Sequence, residues 1–142
     1  MKIINNSNNE LPSYGTKFSA GMDLRAYLKE SVILKPLQRE LISTGLHIKL
    51  PFNTVGLICP RSGLAIKQGI SILNAPGIID QDFTGEIKII LINLSDKNVT
   101  IDNGDRIAQL VIVDCYSVTL KETDKLSSTE RGEGGFGHTG IK

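Results

Sequence analysis

Apolar and polar residues alternate along much of the chain, or gather in short β-branched runs that Gly, Pro, Asn or Asp interrupts before a helix could lengthen. Leu46, Ile48 and Leu50 alternate with His47 and Lys49, and Val99 and Ile101 flank Thr100, the period of two expected of strands with one face in water. Residues 86–94 (EIKIILINL) and 106–116 (RIAQLVIVDCY) are nearly continuous apolar segments, which predicts strands buried on both faces. Periodicity leaves a short buried helix open for them; the flanking turns favour strand. Residues 95–98 (SDKN) and 102–105 (DNGD) are turn clusters, and the Asn103-Gly104 pair predicts a tight hairpin. Only residues 60–70 (PRSGLAIKQGI) predict a short helix, with good helix formers from Leu64 to Gln68 between glycines. Many short strands joined by such turns predict an all-β sandwich or barrel.

Length and charge narrow the class. A chain of 142 residues fits one domain able to bury a core without staples. Sixteen Lys and Arg against fifteen Asp and Glu leave a net charge of +1, with the signs interspersed, so no nucleic acid polymer is expected as a partner. Cys59 and Cys115 lie in apolar runs without the paired spacing of a zinc or redox site and read as small apolar fillers. The first ten residues are too polar for a signal-peptide core and no apolar stretch reaches membrane-spanning length, so a cytoplasmic location without a membrane partner is expected. After Lys121 apolar residues become sparse. The expected organisation is a β core over residues 1–124 and a flexible glycine-rich tail over residues 125–142.

That tail carries the first candidate chemistry. Gly132, Gly134 and Gly137 match GxGxxG, but a dinucleotide reading requires a helix or strand to follow, and only Ile141 and Lys142 come after Gly140. Consecutive glycines let several backbone N–H groups turn toward one anion, Arg131 can grip phosphate oxygens in parallel, and Phe136 offers a face for a base. A disordered solvating tail is the plainer reading; a phenylalanine set between glycines argues against it. Residues 60–66 present Arg61, the Ser62 hydroxyl and the bare backbone of Gly63 in succession, a second phosphate contact or equally a salt bridge beside a turn. Gln109 sits in an apolar strand and needs a hydrogen-bond partner if buried. Asp80 follows Ile78 and Ile79 and precedes Asp82 and Phe83, where a partly desolvated carboxylate can take a proton from water, or merely favour a bend. Asp23 lies among small and apolar residues, placed to orient water on a phosphate-bound Mg²⁺ or to cap a turn.

Taken together and in this order, AGMDLRAY, PRSGLAIKQG, NAPGIIDQDFTGEI, GDRIAQLV and RGEGGFGHTG resemble the five motifs of the trimeric dUTP diphosphatases, over residues 20–140. The resemblance implies a jelly-roll-like distorted β-barrel, a homotrimer with C-terminal arm exchange, active sites at subunit interfaces, dUTP as substrate and Mg²⁺ on its triphosphate. It implies that Asp80 is the general base whose water attacks the α-phosphorus, giving dUMP and pyrophosphate. Asn74, the backbone of Gly77, Ile78 and Ile79, and the main chain at Lys88 would read uracil. Arg61, Ser62, Gly63 and Gln109 would contact the phosphates, and Asp23 would act through metal-bound water. Arg131, Gly135, Gly137, His138 and Thr139 would close over the γ end while Phe136 stacks on the base.

Two positions depart from the family pattern. Phe83 stands where tyrosine is usual, keeping the ring that packs on deoxyribose but not its hydroxyl, and His138 stands where the tail usually has serine. Two rival readings share much of this description: a dCTP deaminase of the same fold, which would release ammonia instead of pyrophosphate, and a nonhydrolytic nucleotide sensor. A base at Asp80 speaks against pure sensing, since binding alone needs none.

Overall fold

The computed structural model describes residues 1–138. Among them the strands are β1 Lys2–Asn5, β2 Gly21–Arg25, β3 Val32–Leu34, β4 Arg39–Ser43, β5 Leu46–Lys49 and β6 Thr54–Cys59. After helix α1, Ser62–Gln68, come β7 Ile70–Ile72, β8 Gly77–Ile79, β9 Lys88–Asn93, β10 Val99–Ile101 and β11 Arg106–Asp114. The expected all-β class and the single short helix are both present. Every pairing is antiparallel. One sheet runs in the order β2-β11-β6-β8 and a second in the order β4-β9-β7, while β1 with β5 and β10 with β3 form two-stranded ribbons.

All four sheets point apolar side chains into one core, which makes the fold a jelly-roll-like distorted barrel. Leu24 of β2, Leu110 of β11, Ile42 of β4, Leu91 of β9, Leu34 of β3 and Ile101 of β10 are each at most 1% exposed. Burying each such side chain contributes about 1.5–3 kcal/mol, the main term that closes the barrel. A register shift in β11 between Arg106 and Ala108 lets Ile107 and Ala108 both turn inward in succession. Two polar residues are buried, Thr44 and Asn93, the latter fully, at the end of β9. Its amide donates to the carbonyls of Leu34 and Lys97, at 2.8 and 2.7 Å, and its Oδ1 accepts from the backbone N–H and hydroxyl of Ser95. It thereby ties the 95–98 turn to β3.

Three expectations need correction. β9 is not buried on both faces: Ile89, Leu91 and Asn93 are buried, whereas Ile90 and Ile92 are only half-buried on the outer face. β11 likewise buries Ile107, Ala108 and Leu110 and leaves Val111, Ile112 and Val113 half-buried. The Asn103-Gly104 turn does not join paired strands, because β10 pairs with β3 and β11 with β2 and β6. It is a corner between sheets, held by Gly104 N–H donating to the Ala26 carbonyl at 2.8 Å.

Helix α1 ends because Gly69 adopts a left-handed conformation, φ 67°, and its N–H bonds back to the Ala65 carbonyl at 3.0 Å. No α1 residue is buried, so the helix is held mainly by its ends and by Leu64 against the core.

Candidate functional site

Strand order gathers three of the five sequence segments. β11 lies between β2 and β6, and its register sets Gln109 opposite both Asp23 and Cys59. Residues directly opposite share a face, so Asp23, Gln109 and Cys59 form one row across the sheet. Arg61 follows two residues after Cys59 and turns its guanidinium back along that row: Nε donates to Asp23 Oδ1 at 2.8 Å and Nη2 to Oδ2 at 3.4 Å. Arg106, at the start of β11, donates from Nη1 to the same Oδ2 at 3.1 Å, and Arg61 Nη1 donates to the Arg106 carbonyl at 3.1 Å. Arg106 was not among the candidate site residues. The sequence signal was present in GDRIAQLV, but only the register shows that it shares a carboxylate with Arg61.

This cluster is half open to water, with the Asp23 side chain 27% and that of Arg106 51% exposed. One carboxylate between two guanidiniums leaves a net positive site beside the exposed Ser62 and Gly63, an arrangement suited to an anion with more than one charged oxygen. Gln109 is half-buried and makes no side-chain hydrogen bond among the described residues, so its amide is free for a ligand rather than satisfied by the core. Both Asp23 oxygens already accept from arginine, so a cation would meet this carboxylate through water on its remaining lone pairs. No group of three His, Cys, Asp or Glu able to hold a metal occurs among the described residues, so a Mg²⁺ fits here only with ligands brought by the phosphates.

The second assembly lies at the other edge of the same sheet. β8 pairs with β6 so that Gly77 faces Ile58 and Ile79 faces Gly56. A cavity of about 100 Å³ opens beside it, lined by Asn74, Gly77, Ile78, Ile79 and Lys88 over the apolar floor of Ile58. These are the residues expected to read a base. Lys88 is positioned by Glu86, which accepts from Lys88 Nζ at 3.5 Å and from the Gly45 N–H at 2.9 Å. Burial pushes the Glu86 carboxyl up, but the Gly45 N–H and the Lys88 ammonium outweigh it and leave its pKa below the usual carboxylate value.

Asp80 comes directly after β8, at the rim of a hollow of about 250 Å³ that also includes Asn53, Thr54, Gln81 and Asp82. It is exposed, not partly desolvated as its apolar neighbours predict, because Ile78 is itself 56% exposed and covers nothing. Its carbonyl accepts the Phe83 N–H at 3.1 Å, closing the turn that sends Phe83 back over the hairpin. The following residue is pinned twice: Lys49 Nζ donates to the Gln81 carbonyl at 3.2 Å, and Gln81 Oε1 accepts from the Asn53 N–H at 3.0 Å.

The chain does not bring Asp80 to the arginines. Antiparallel pairing with β6 puts Asp80, one residue past Ile79, level with Val55 near the start of that strand, whereas Arg61 lies beyond its Cys59 end. Six residues of extended chain separate the two levels, roughly 20 Å at a strand's rise of about 3.3 Å per residue. The tail is apart from both. Arg131 Nε donates to the Gly134 carbonyl at 2.9 Å within the tail's own turns, Gly135 and Gly137 belong to those turns, and Phe136 and His138 are exposed. Thr139 lies outside the described residues.

The barrel thus carries two separate features, an arginine-flanked anion site past the Cys59 end of β6 and a small cavity at β8 with a carboxylate next to it in the chain. Comparison with known proteins supplies the family. The dUTPase model matches residues 7–140, and the chain belongs to the dUTPase family. It is 53% identical to the deoxyuridine 5'-triphosphate nucleotidohydrolase of Cytophaga hutchinsonii, covering 99% of this chain and 91% of that one. To the protein of the same name from Finegoldia magna it is 51% identical, over 99% and 98%. Among solved structures, a mutant dUTPase of Staphylococcus bacteriophage 80alpha with dUpNHpp superposes with a TM-score of 0.90 at 28% identity, covering 99% of this chain and 98% of that one. A mutant dUTPase of phage phi11 of S. aureus, at TM-score 0.81 and 25% identity over 89% and 98%, is described with a structural Mg(II) ion.

Proposed function

We propose that this protein hydrolyses dUTP to dUMP and pyrophosphate, with water attacking the α-phosphorus and Asp80 taking its proton. The observation that carries this reading is the small cavity of Asn74, Gly77 to Ile79 and Lys88 set one residue before Asp80. A ring held there by main-chain donors and acceptors brings the phosphate nearest the sugar toward that carboxylate. Gly77, at the cavity wall, has Ile58 Cβ 3.2 Å and Asn74 Nδ2 3.4 Å from where its own Cβ would stand, so the wall is already closely packed. A cytosine there meets mismatched hydrogen-bonding groups, and a thymine methyl lacks room. The reaction supplies dUMP for thymidylate synthesis and keeps uracil out of DNA.

The separation of Asp80 from Arg61 supports a site shared between copies in a homotrimer. One copy supplies Asp23, Arg61, Ser62, Gly63, Arg106 and Gln109 for the phosphates, and a neighbour supplies the uracil cavity, Phe83 against the sugar, and Asp80. The half-buried outer face of β9 and the exposed Leu41, which lies opposite Ile90, suit subunit contact. Tyr116, Val118 and Leu120 alternate and are 77–91% exposed, the pattern of a strand whose partner is another chain, in keeping with arm exchange. On this reading the domains are a core to about residue 124 and a closing tail beyond it. That tail delivers Arg131, Gly135, Gly137, His138 and Thr139 to the γ-phosphate and Phe136 to the base.

Mg²⁺ on the triphosphate would neutralise charge that builds as the α–β bridge breaks. Asp23 is the residue that would hold its water, while Ser62 stands near the bridging oxygen. No helix among the described residues is long and apolar enough to cross a membrane, in keeping with a cytoplasmic enzyme. The relatives' shared name gives no support to a deaminase or a silent sensor. Offering dUTP, dCTP, dTTP and UTP separately tests the assignment. Pyrophosphate and dUMP from dUTP alone bear it out, and ammonia from dCTP overturns it.

A further inference from the structure

The ring of Phe83 rests directly on the backbone of Gly85. A Cβ placed on Gly85 would stand 2.6 Å from Phe83 Cζ and 2.8 Å from Cε2, far inside van der Waals contact, and within 4 Å the nearest atoms it would meet all belong to that ring. Gly85 is not among the glycines of positive φ, so left-handed backbone does not explain the glycine. What the missing side chain provides is the seat of the ring. The ring is 40% exposed, with Gly85 beneath it and the Asp80–Phe83 turn fixing its backbone.

We propose that Gly85 is the positioning residue that sets how deeply Phe83 sits, and through it the selection of deoxyribose over ribose. This rests on the reading of Phe83 as the sugar contact. A methyl at position 85 has to lift the ring by on the order of 1 Å to restore ordinary contact, since carbon atoms pack at about 3.5–4.0 Å. Lifted that far, the ring either presses on the deoxyribose of dUTP or uncovers the space that a ribose 2′-hydroxyl needs. Uncovering that space lowers the preference for dUTP over UTP, whereas pressing on the sugar lowers turnover of both. The three atoms nearest the new methyl belong to one half-exposed ring and not to the barrel's core.

The test is a double-mutant cycle on the full-length protein, with Gly85→Ala, Phe83→Leu and the pair, reading the ratio of kcat/KM for dUTP to that for UTP together with the melting temperature. Gly85→Ala is expected to lower the ratio roughly tenfold or more, as misplacement of about 1 Å in a positioning contact does, with the melting temperature nearly unchanged. In the Phe83→Leu background the same change is expected to add little, because the ring it acts through is gone. If Phe83→Leu lowers the ratio but Gly85→Ala does not, or if the two effects simply add, the inference is overturned while the sugar contact stands. If Phe83→Leu itself leaves the ratio intact, the sugar contact falls and takes the inference with it. Should Gly85→Ala fail to fold, the pair decides: recovery of folding supports the ring as the sole obstacle, and failure of the pair as well overturns it.

Discussion

Arg61, just past the end of β6, and Asp23 of β2 meet side-on, Nε to Oδ1 at 2.8 Å, although β6 and β2 are not neighbours in the sheet but flank β11 on either side. Arg106 shares the same carboxylate. The pair is too open to stabilise the barrel much, since partly exposed ion pairs contribute about 0–1 kcal/mol. On the proposed reading its value lies in holding two guanidiniums together until a triphosphate arrives. Asp23→Ala is therefore expected to shift thermal stability by about 1 kcal/mol or less while lowering kcat/KM for dUTP at least tenfold, a loss on the scale of about 1.4 kcal/mol of transition-state stabilisation. Melting curves beside steady-state kinetics check this; a large melting shift with intact kinetics contradicts it.

Asp80→Asn keeps the shape of the side chain and removes the base. Turnover is expected to fall by roughly 10²- to 10⁴-fold, the usual contribution of a positioned general base. Equilibrium binding of a nonhydrolysable dUTP analogue is expected to stay within a few-fold of the parent. Unchanged turnover removes Asp80 from the chemistry.

Much of this site was legible in the sequence, and what was missed follows from register. Asp80, Arg61 and Asn74 stood out because their short segments carry unusual combinations of Gly, Pro and charge, which do not depend on what lies across the sheet. Helix α1 was legible because its helix formers, Leu64 to Gln68, run up to Gly69, which ends it; Gly63 lies within its first turn. Arg106 was passed over because its partner is 83 residues away in the chain and is brought near only by the β2–β11 pairing. The 102–105 turn was misread for the same reason: Asn-Gly specifies a sharp reversal, and the strands that follow decide whether it joins partners or turns a corner. The two-sided burial expected of β9 fails in a single copy, since the described residues leave Ile90 and Ile92 half-buried.

Tail and core are separable in energy. The last strand ends at Asp114, and the described residues beyond it add no buried side chain. Truncation after Glu130 is expected to leave the melting temperature within a few degrees while lowering kcat/KM at least tenfold, because the closure proposed for the tail would exclude water and complete the anion's hydrogen bonds. Differential scanning calorimetry and initial rates read the two effects; a collapse in melting temperature contradicts the division.

Glu86 gives a pH signature of its own. Its folded pKa lies below the usual carboxylate value, so its contribution is fully present above the unfolded pKa, about 4.3, and is lost as pH falls through the folded one. Glu86→Gln is expected to melt lower than the parent at pH 7, with the gap closing below about pH 4. A gap that stays constant from pH 7 to pH 3 contradicts the assignment.

The central claim is that Asp80 of one copy serves the phosphate grip of another. Asp80→Asn and Arg61→Ala chains, each inactive alone, can be co-refolded in equal amounts and assayed for dUTP hydrolysis. A site built from two chains combines the intact Asp80 of one variant with the intact Arg61 of the other in about a quarter of sites under random assembly, and about that fraction of parent activity is expected to return. If the mixture stays as inactive as its parts while trimers form, the site lies within one chain and the account is wrong.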